Sequence, residues 1–206
     1  LGAIESCIMQ IYFFEKGITL VEGLKKLLDS SIRRNDDLGI KYYGSGGSVA
    51  YSPDKCIEDL KQTTEKGLDG FKMRCGLKDI NEDIERVKSV HDFISRIRSS
   101  KKPSLMVDLI QGTLKPKFSI FKLNQYLDKF KNFNILWIEE PLDPDQISLY
   151  EEFICDNSAH KLCLGESFTC LNEFVAYKNI INFFQLDVTH LGGFPETIKV
   201  LNYMCK

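Results

Sequence analysis

The chain has 206 residues, 43% hydrophobic and 27% charged, enough to bury the core of one globular domain or a large part of one. Its formal charge of -2, from 27 Lys and Arg against 29 Asp and Glu, excludes the broad basic field that nucleic acid or an anionic membrane surface would require. Seven cysteines, at 7, 56, 75, 155, 163, 170 and 205, follow neither disulfide-framework nor zinc-knuckle spacing, so reduced, packed thiols are expected in the cytoplasm or an organelle interior.

The N-terminal stretch predicts helices over 3–16 and 21–29. Glu15 and Lys16 interrupt "ESCIMQIYFFEKGITL", so no membrane span is expected, and no basic segment leads into an apolar signal sequence. The first residue is Leu rather than Met, from which processing, domain excision or an incomplete sequence is expected. "IRRNDD" at 32–37 is a polar connection, and "GIKYYGSGG" is a short strand ending in a glycine turn.

Beyond it, helices at 53–66, 80–98, 118–131, 145–155, 169–179 and 193–204 alternate with strands at 69–74, 104–109, 134–139, 161–165 and 182–187. Such alternation with few long loops predicts a parallel sheet covered by helices, with ligands at the carboxyl ends of the strands. A doubly wound nucleotide-binding sheet would alternate in the same way, but "YGSGGS" fits neither glycine-rich phosphate loop.

Those strand ends carry charge. "MVD" ends on Asp108, "LWIEE" on Glu139 and Glu140, and "LGE" on Glu166. Singly, each is readable as a turn residue or helix cap. As an ordered triplet on successive strands about 5 Å apart, they are best explained by one hard divalent cation, because uncompensated carboxylates would raise one another's pKa. Strand alternation separates Glu139 from Glu140; Glu139 is the expected ligand and Glu140 a supporting group or helix-end contact.

"GFKMR" sends Lys72 and Arg74 to one face and Phe71 and Met73 to the other. A lysine beside another cation can serve as a base, whereas an arginine essentially cannot; an exposed basic strand end is the plainer alternative. "QLDVTHLGG" adds Asp187, His190 and a glycine pair able to present N–H groups to an anion.

Taken in order, "FKMR", "MVDLIQG", "LWIEEP", "LGES" and "FFQLDVTHLGG" resemble the enolase superfamily, in its mandelate racemase and muconate-lactonizing branch, nearest the acid-sugar dehydratases and racemases. The resemblance implies Mg²⁺, with Mn²⁺ as a substitute, held by Asp108, Glu139 and Glu166. It implies that Lys72 neutralises charge near a substrate carboxylate and that Asp187 orients a catalytic histidine on a seventh strand. Arg74 falls where the family has its lysine base. At His190 the muconate-lactonizing group would have a lysine. Ile110 replaces an asparagine, and "RSSKKP" and "LKPKFS" lengthen the spacing between motifs.

The implied fold is α/β: a partial modified TIM barrel, (β/α)8-like, with about six βα units and the N-terminal capping domain largely absent. Residues 1–41 form a helical segment and linker, and 42–206 an incomplete catalytic barrel domain. The implied activity is abstraction of the proton α to the carboxylate of a hydroxy or sugar acid, leading to dehydration. The alternatives are a racemase or epimerase of the same family and a catalytically inactive scaffold or fragment. The expected partner is a small carboxylate, with no nucleic acid and no membrane; a homo-oligomer is an option that would repair the open barrel.

Overall fold

The computed structural model describes residues 2–28, 41–77, 79–98, 102–156 and 160–204. The connection expected at 32–37, residues 99–101 of the expected insertion and Cys205 lie outside them.

The chain divides into two compact units, one formed by 41–163 and the other by 1–40 with 164–206. In the first, strands β1 (Tyr43–Gly46), β2 (Gly70–Arg74), β3 (Ser104–Asp108) and β4 (Ile135–Glu139) alternate with helices α3 (Pro53–Glu65), α4 (Ile80–Arg96) and α5 (Ile120–Phe130). Helix α6 (Ile147–Asp156) and strand β5 (Leu162–Leu164) follow. Each neighbouring pair from β1 to β5 is parallel. With β6 (Phe183–Phe184) last, the strand order is β1-β2-β3-β4-β5-β6, the sequence order itself, as in a partial (β/α)8 barrel.

Side-chain chemistry accounts for these elements. β3 is a short, largely apolar run buried on both faces, as a helix-covered parallel sheet demands, and β2 is buried up to Arg74 although it carries Lys72. The Ser52 hydroxyl accepts from the Lys55 N–H at 3.3 Å and Pro53 opens α3, where its missing N–H costs nothing. Ser119 caps α5 in the same way, accepting from Lys122 N–H at 3.2 Å. Leu60, Val87, Val90, Leu123, Leu127 and Phe130 recur at helical spacing and form the helix side of the core against Phe71, Met73, Leu105 and Val107.

The second unit holds α1 (Gly2–Glu15), α2 (Leu20–Leu27), β6 (Phe183–Phe184), α7 (Leu171–Tyr177) and α8 (Phe194–Met204). A Cβ on Gly23 would lie 2.5 Å from the Phe13 ring, so glycine on α2 is what lets that ring be buried. A Cβ on Gly193 would meet the Gly2 carbonyl at 2.6 Å, so glycine at 193 is what lets the α1 N-terminus approach this turn.

Two strands are shorter than expected. β5 ends at Leu164 because Gly165, at φ +123, turns the chain, and β6 is only two residues long, so Asp187 lies beyond it in a turn. No helix among the described residues is long and apolar enough to cross a membrane.

Candidate metal centre

Parallel pairing aligns the rim of the first unit. Arg74 is the Cα partner of Asp108, which is in turn the partner of Glu139, so three successive strands end in register on charged residues. Lys72 lies two residues before Arg74 and is 4% exposed; Asp108 and Glu139 are 3% and 1% exposed.

The ammonium of Lys72 donates to Glu139 Oε1 at 2.6 Å, and the Trp137 indole N–H reaches the other carboxylate oxygen at 3.4 Å. Asp108 Oδ1 accepts from the Ile110 N–H at 2.7 Å, while Arg74 Nε approaches Oδ2 at 3.8 Å, the outer limit of an ion pair. Burial pushes the Asp108 carboxyl up to about 6 despite Lys72 and the Ile110 N–H, which favour its charged form.

Lys72 is not the exposed basic strand end of the plainer sequence reading. Burial alone would lower its pKa, but Glu139 at its side lifts the ammonium above the ordinary lysine value. That direction is opposite to the one a lysine base requires. Arg74 is about half exposed, a cation over the rim.

Glu140 is set apart from Glu139 as strand alternation predicts. It sits at φ +39, buried, with Oε2 accepting from the Gly112 N–H at 3.0 Å and its carbonyl from the Gln111 N–H at 3.1 Å. Its role here is to brace the loop that follows β3.

Glu166, Asp187 and His190 belong to the other unit. Glu166 is exposed, two residues past β5, with Oε2 accepting from Gln185 Nε2 at 3.3 Å. Asp187 Oδ1 accepts from the Thr189 hydroxyl at 2.5 Å, from its N–H at 2.7 Å and from the His190 N–H at 3.4 Å, closing a tight Asx-type turn. Chiefly through the Thr189 hydroxyl, these contacts hold the Asp187 carboxyl below its usual range. The His190 ring is exposed on that turn.

Among the described residues, no three His, Cys, Asp or Glu side chains are gathered as a metal site. The Asp108–Glu139 pair nevertheless fits a hard cation in kind: buried, oxygen-only and in register. A cavity of about 330 Å³ lies at the opposite, N-terminal ends of β3 and β4, lined by His91, Ser95, Lys102, Ser104 and Asn134. In barrels of this type that end serves stability rather than chemistry.

Residues 55–205 match the family described as enolase C-terminal domain-like. The chain belongs to the enolase superfamily. Within it, the chain falls in the mandelate racemase and muconate-lactonizing branch, related to acid-sugar dehydratases and racemases.

This enolase-superfamily chain is 25% identical over 170 residues to L-talarate/galactarate dehydratase of Salmonella typhimurium, covering 81% of the chain and 40% of that protein. It superposes on a mandelate racemase/muconate lactonizing enzyme from Polaromonas sp. JS666 with TM-score 0.76 and 21% identity, over 99% of the chain and 52% of that structure. A racemase from Streptomyces coelicolor with bound magnesium gives TM-score 0.67 at 21% identity, over 78% and 46%. The chain spans less than half the length of the curated relatives it matches.

One functional support escaped the sequence reading. Arg86 on α4, 1% exposed, donates to the carbonyls of Gly47 at 2.8 Å, Ser48 at 2.6 Å and Arg74 at 3.1 Å, gripping the ends of β1 and β2 from beneath. Asp83, fully buried, binds Arg86 at 3.0 Å and accepts from the Gly76 N–H at 2.8 Å and the Tyr126 hydroxyl at 2.9 Å. The available signal was their spacing: Asp83 and Arg86 share one helix face with Val87, Val90 and Ile94.

Proposed function

We propose that this chain carries the metal-binding half of an enzyme that removes the proton α to the carboxylate of a hydroxy or sugar acid, with loss of water as the ensuing step. The observation that carries this reading is the buried, in-register pair Asp108 and Glu139 with Lys72 on Glu139. The dehydratases among its relatives, acting on talarate or galactarate, L-galactonate and arabinonate by name, support the substrate class.

Asp108, Glu139 and Glu166 would hold Mg²⁺, or Mn²⁺ in its place. When bound, the cation supplies Lewis-acid stabilisation of negative charge developing on the substrate carboxylate. Lys72, an ammonium in a buried setting, meets the carboxylate of the substrate and lowers the cost of its desolvation. Arg74 adds positive charge without proton exchange near neutral pH. Asp187 is assigned to orienting a histidine base and His190 to the substrate-facing turn. A base on one face suffices for elimination, which favours dehydration over racemisation.

A specific observation supports a second reading, a non-catalytic relative. Both buried carboxylates already face cations from β2, so the rim is balanced as it stands. Calorimetric Mn²⁺ titration of the folded chain, with Glu139→Gln beside it, separates the two. Saturable binding near one cation per chain, lost in the variant, supports the enzyme reading. A folded chain that takes up no Mn²⁺ supports the scaffold.

A further inference from the structure

Lys72 and Glu139 are 67 residues apart in sequence, on strands separated by β3, yet their charged atoms meet at 2.6 Å with almost no exposure. Two buried carboxylates in adjacent register would repel strongly if left alone. Here the ammonium sits on one of them and the guanidinium of Arg74 approaches the other. The Lys72 ammonium is also 5.8 Å above the Tyr43 ring, whose face favours a cation at that distance. The position is therefore built to hold a positive charge.

A divalent cation on Glu139 and Lys72 on the same carboxylate are competitors, because like charges a few ångströms apart inside a low-dielectric interior repel. Resting on the metal reading above, we propose that Lys72 is a tethered counter-ion. It occupies Glu139 in the metal-free protein and is released when the divalent cation binds, so that cation uptake and exposure of the lysine to an incoming carboxylate are one event. Arg74, being half exposed and 3.8 Å from Asp108, is the weaker of the two counter-ions.

Two consequences follow. Affinity for the cation alone is held down by the work of displacing Lys72. A displaced ammonium remains in a buried setting and lacks its partner, so a carboxylate ligand and the divalent cation must strengthen one another's binding, by the same factor in each direction. The lysine thus links the two ligands without any movement of the sheet.

The test is Mn²⁺ titration of the chain and of Lys72→Gln, Lys72→Arg and Glu139→Gln, followed by calorimetry and by the electron paramagnetic resonance of free Mn²⁺. Lys72→Gln keeps a hydrogen-bond donor without charge and is expected to bind Mn²⁺ about fivefold or more tightly than the parent. Lys72→Arg keeps a cation and is expected to bind no more tightly. Glu139→Gln abolishes binding.

If Glu139→Gln abolishes binding but Lys72→Gln binds equally or more weakly, the metal reading stands and the counter-ion proposal is overturned. A gain in Lys72→Arg as large as in Lys72→Gln also overturns it, since packing rather than charge is then responsible. Binding by none of the proteins removes both readings. Should Lys72→Gln fail to fold, nitrogen-15 spectra of the lysine ammonium groups in the parent decide, with the Lys72 signal assigned from Lys72→Arg. The proposal requires that signal to shift and saturate on adding Mg²⁺, and an unmoved signal refutes it.

Discussion

The backbone N–H of Ile110 donates to Asp108 Oδ1 at 2.7 Å, and in making that contact Ile110 is held at φ +47. A β-branched residue in the left-handed region is sterically strained, at a cost of about 1–3 kcal/mol. Asparagine tolerates this conformation, and it is the residue that the family resemblance places here. The strain and the departure from the family pattern are one fact seen twice. Ile110→Asn is expected to raise unfolding free energy by about 1 kcal/mol in urea titration. Ile110→Val, equally branched, is expected to give no gain. Equal effects from both would show that the backbone at 110 is unstrained.

Arg86 and Asp83 form an ion pair with no access to water, and the Arg86 side chain binds three backbone carbonyls as well. Removing one member leaves the other charge buried, which typically costs about 3–5 kcal/mol. Arg86→Met is expected in that range by urea unfolding. Tyr126→Phe removes a hydrogen bond to a charged acceptor and is expected to cost about 1.5–3 kcal/mol. With Asp83→Asn already in place, the Tyr126→Phe loss should shrink, because the two share one contact. Strict additivity would argue against that shared contact.

The sequence showed the strand and helix alternation because each element of the first unit carries its own period. β3 and β4 are apolar runs that break off at a charge, β2 alternates apolar and basic residues, and α3 to α5 place apolar residues every three or four positions. What it concealed were features set by partners far along the chain. Asp83–Arg86 has the same i,i+3 spacing as the exposed Lys55–Glu58 pair, yet one is in the core and the other in water. Lys72 on Glu139 depends on β2 and β4 flanking β3, which periodicity alone does not register. The early end of β5 depends on the conformation of Gly165, whose letter permits φ +123 without requiring it.

Glu173 gives the second unit a pH dependence. Burial raises its pKa, but the Thr169 N–H at 2.6 Å, the Thr169 hydroxyl at 3.0 Å and the Cys170 N–H at 3.0 Å outweigh burial and leave it below the ordinary value. A carboxylate depressed in the folded state contributes stability above its unfolded pKa of about 4.3, and that contribution disappears as pH falls through the lower folded value. Glu173→Gln is therefore expected to cost about 1 kcal/mol at neutral pH. Urea midpoints of parent and variant should then converge as the pH is lowered below about 4. A gap that is constant with pH would place the effect in packing.

Gly112 and Glu140 define the last relationship that mutation can isolate. A Cβ at 112 would fall 2.2 Å from Glu140 Oε2, and that same oxygen accepts the Gly112 N–H at 3.0 Å. Alanine at 112 therefore cannot coexist with Glu140 as placed. The Glu140 backbone is fixed, with its N–H on the Cys163 carbonyl and its carbonyl on the Gln111 N–H, so the carboxylate gives way by rotating its side chain and loses the Gly112 N–H. Losing that hydrogen bond to a buried carboxylate costs about 1–3 kcal/mol, the expected loss for Gly112→Ala in urea unfolding. In a Glu140→Ala background the clashing atoms are gone, and Gly112→Ala should change stability by less than about 0.5 kcal/mol. A Gly112→Ala loss that persists in the Glu140→Ala background would assign the glycine to a backbone requirement instead of to the room it leaves for the carboxylate.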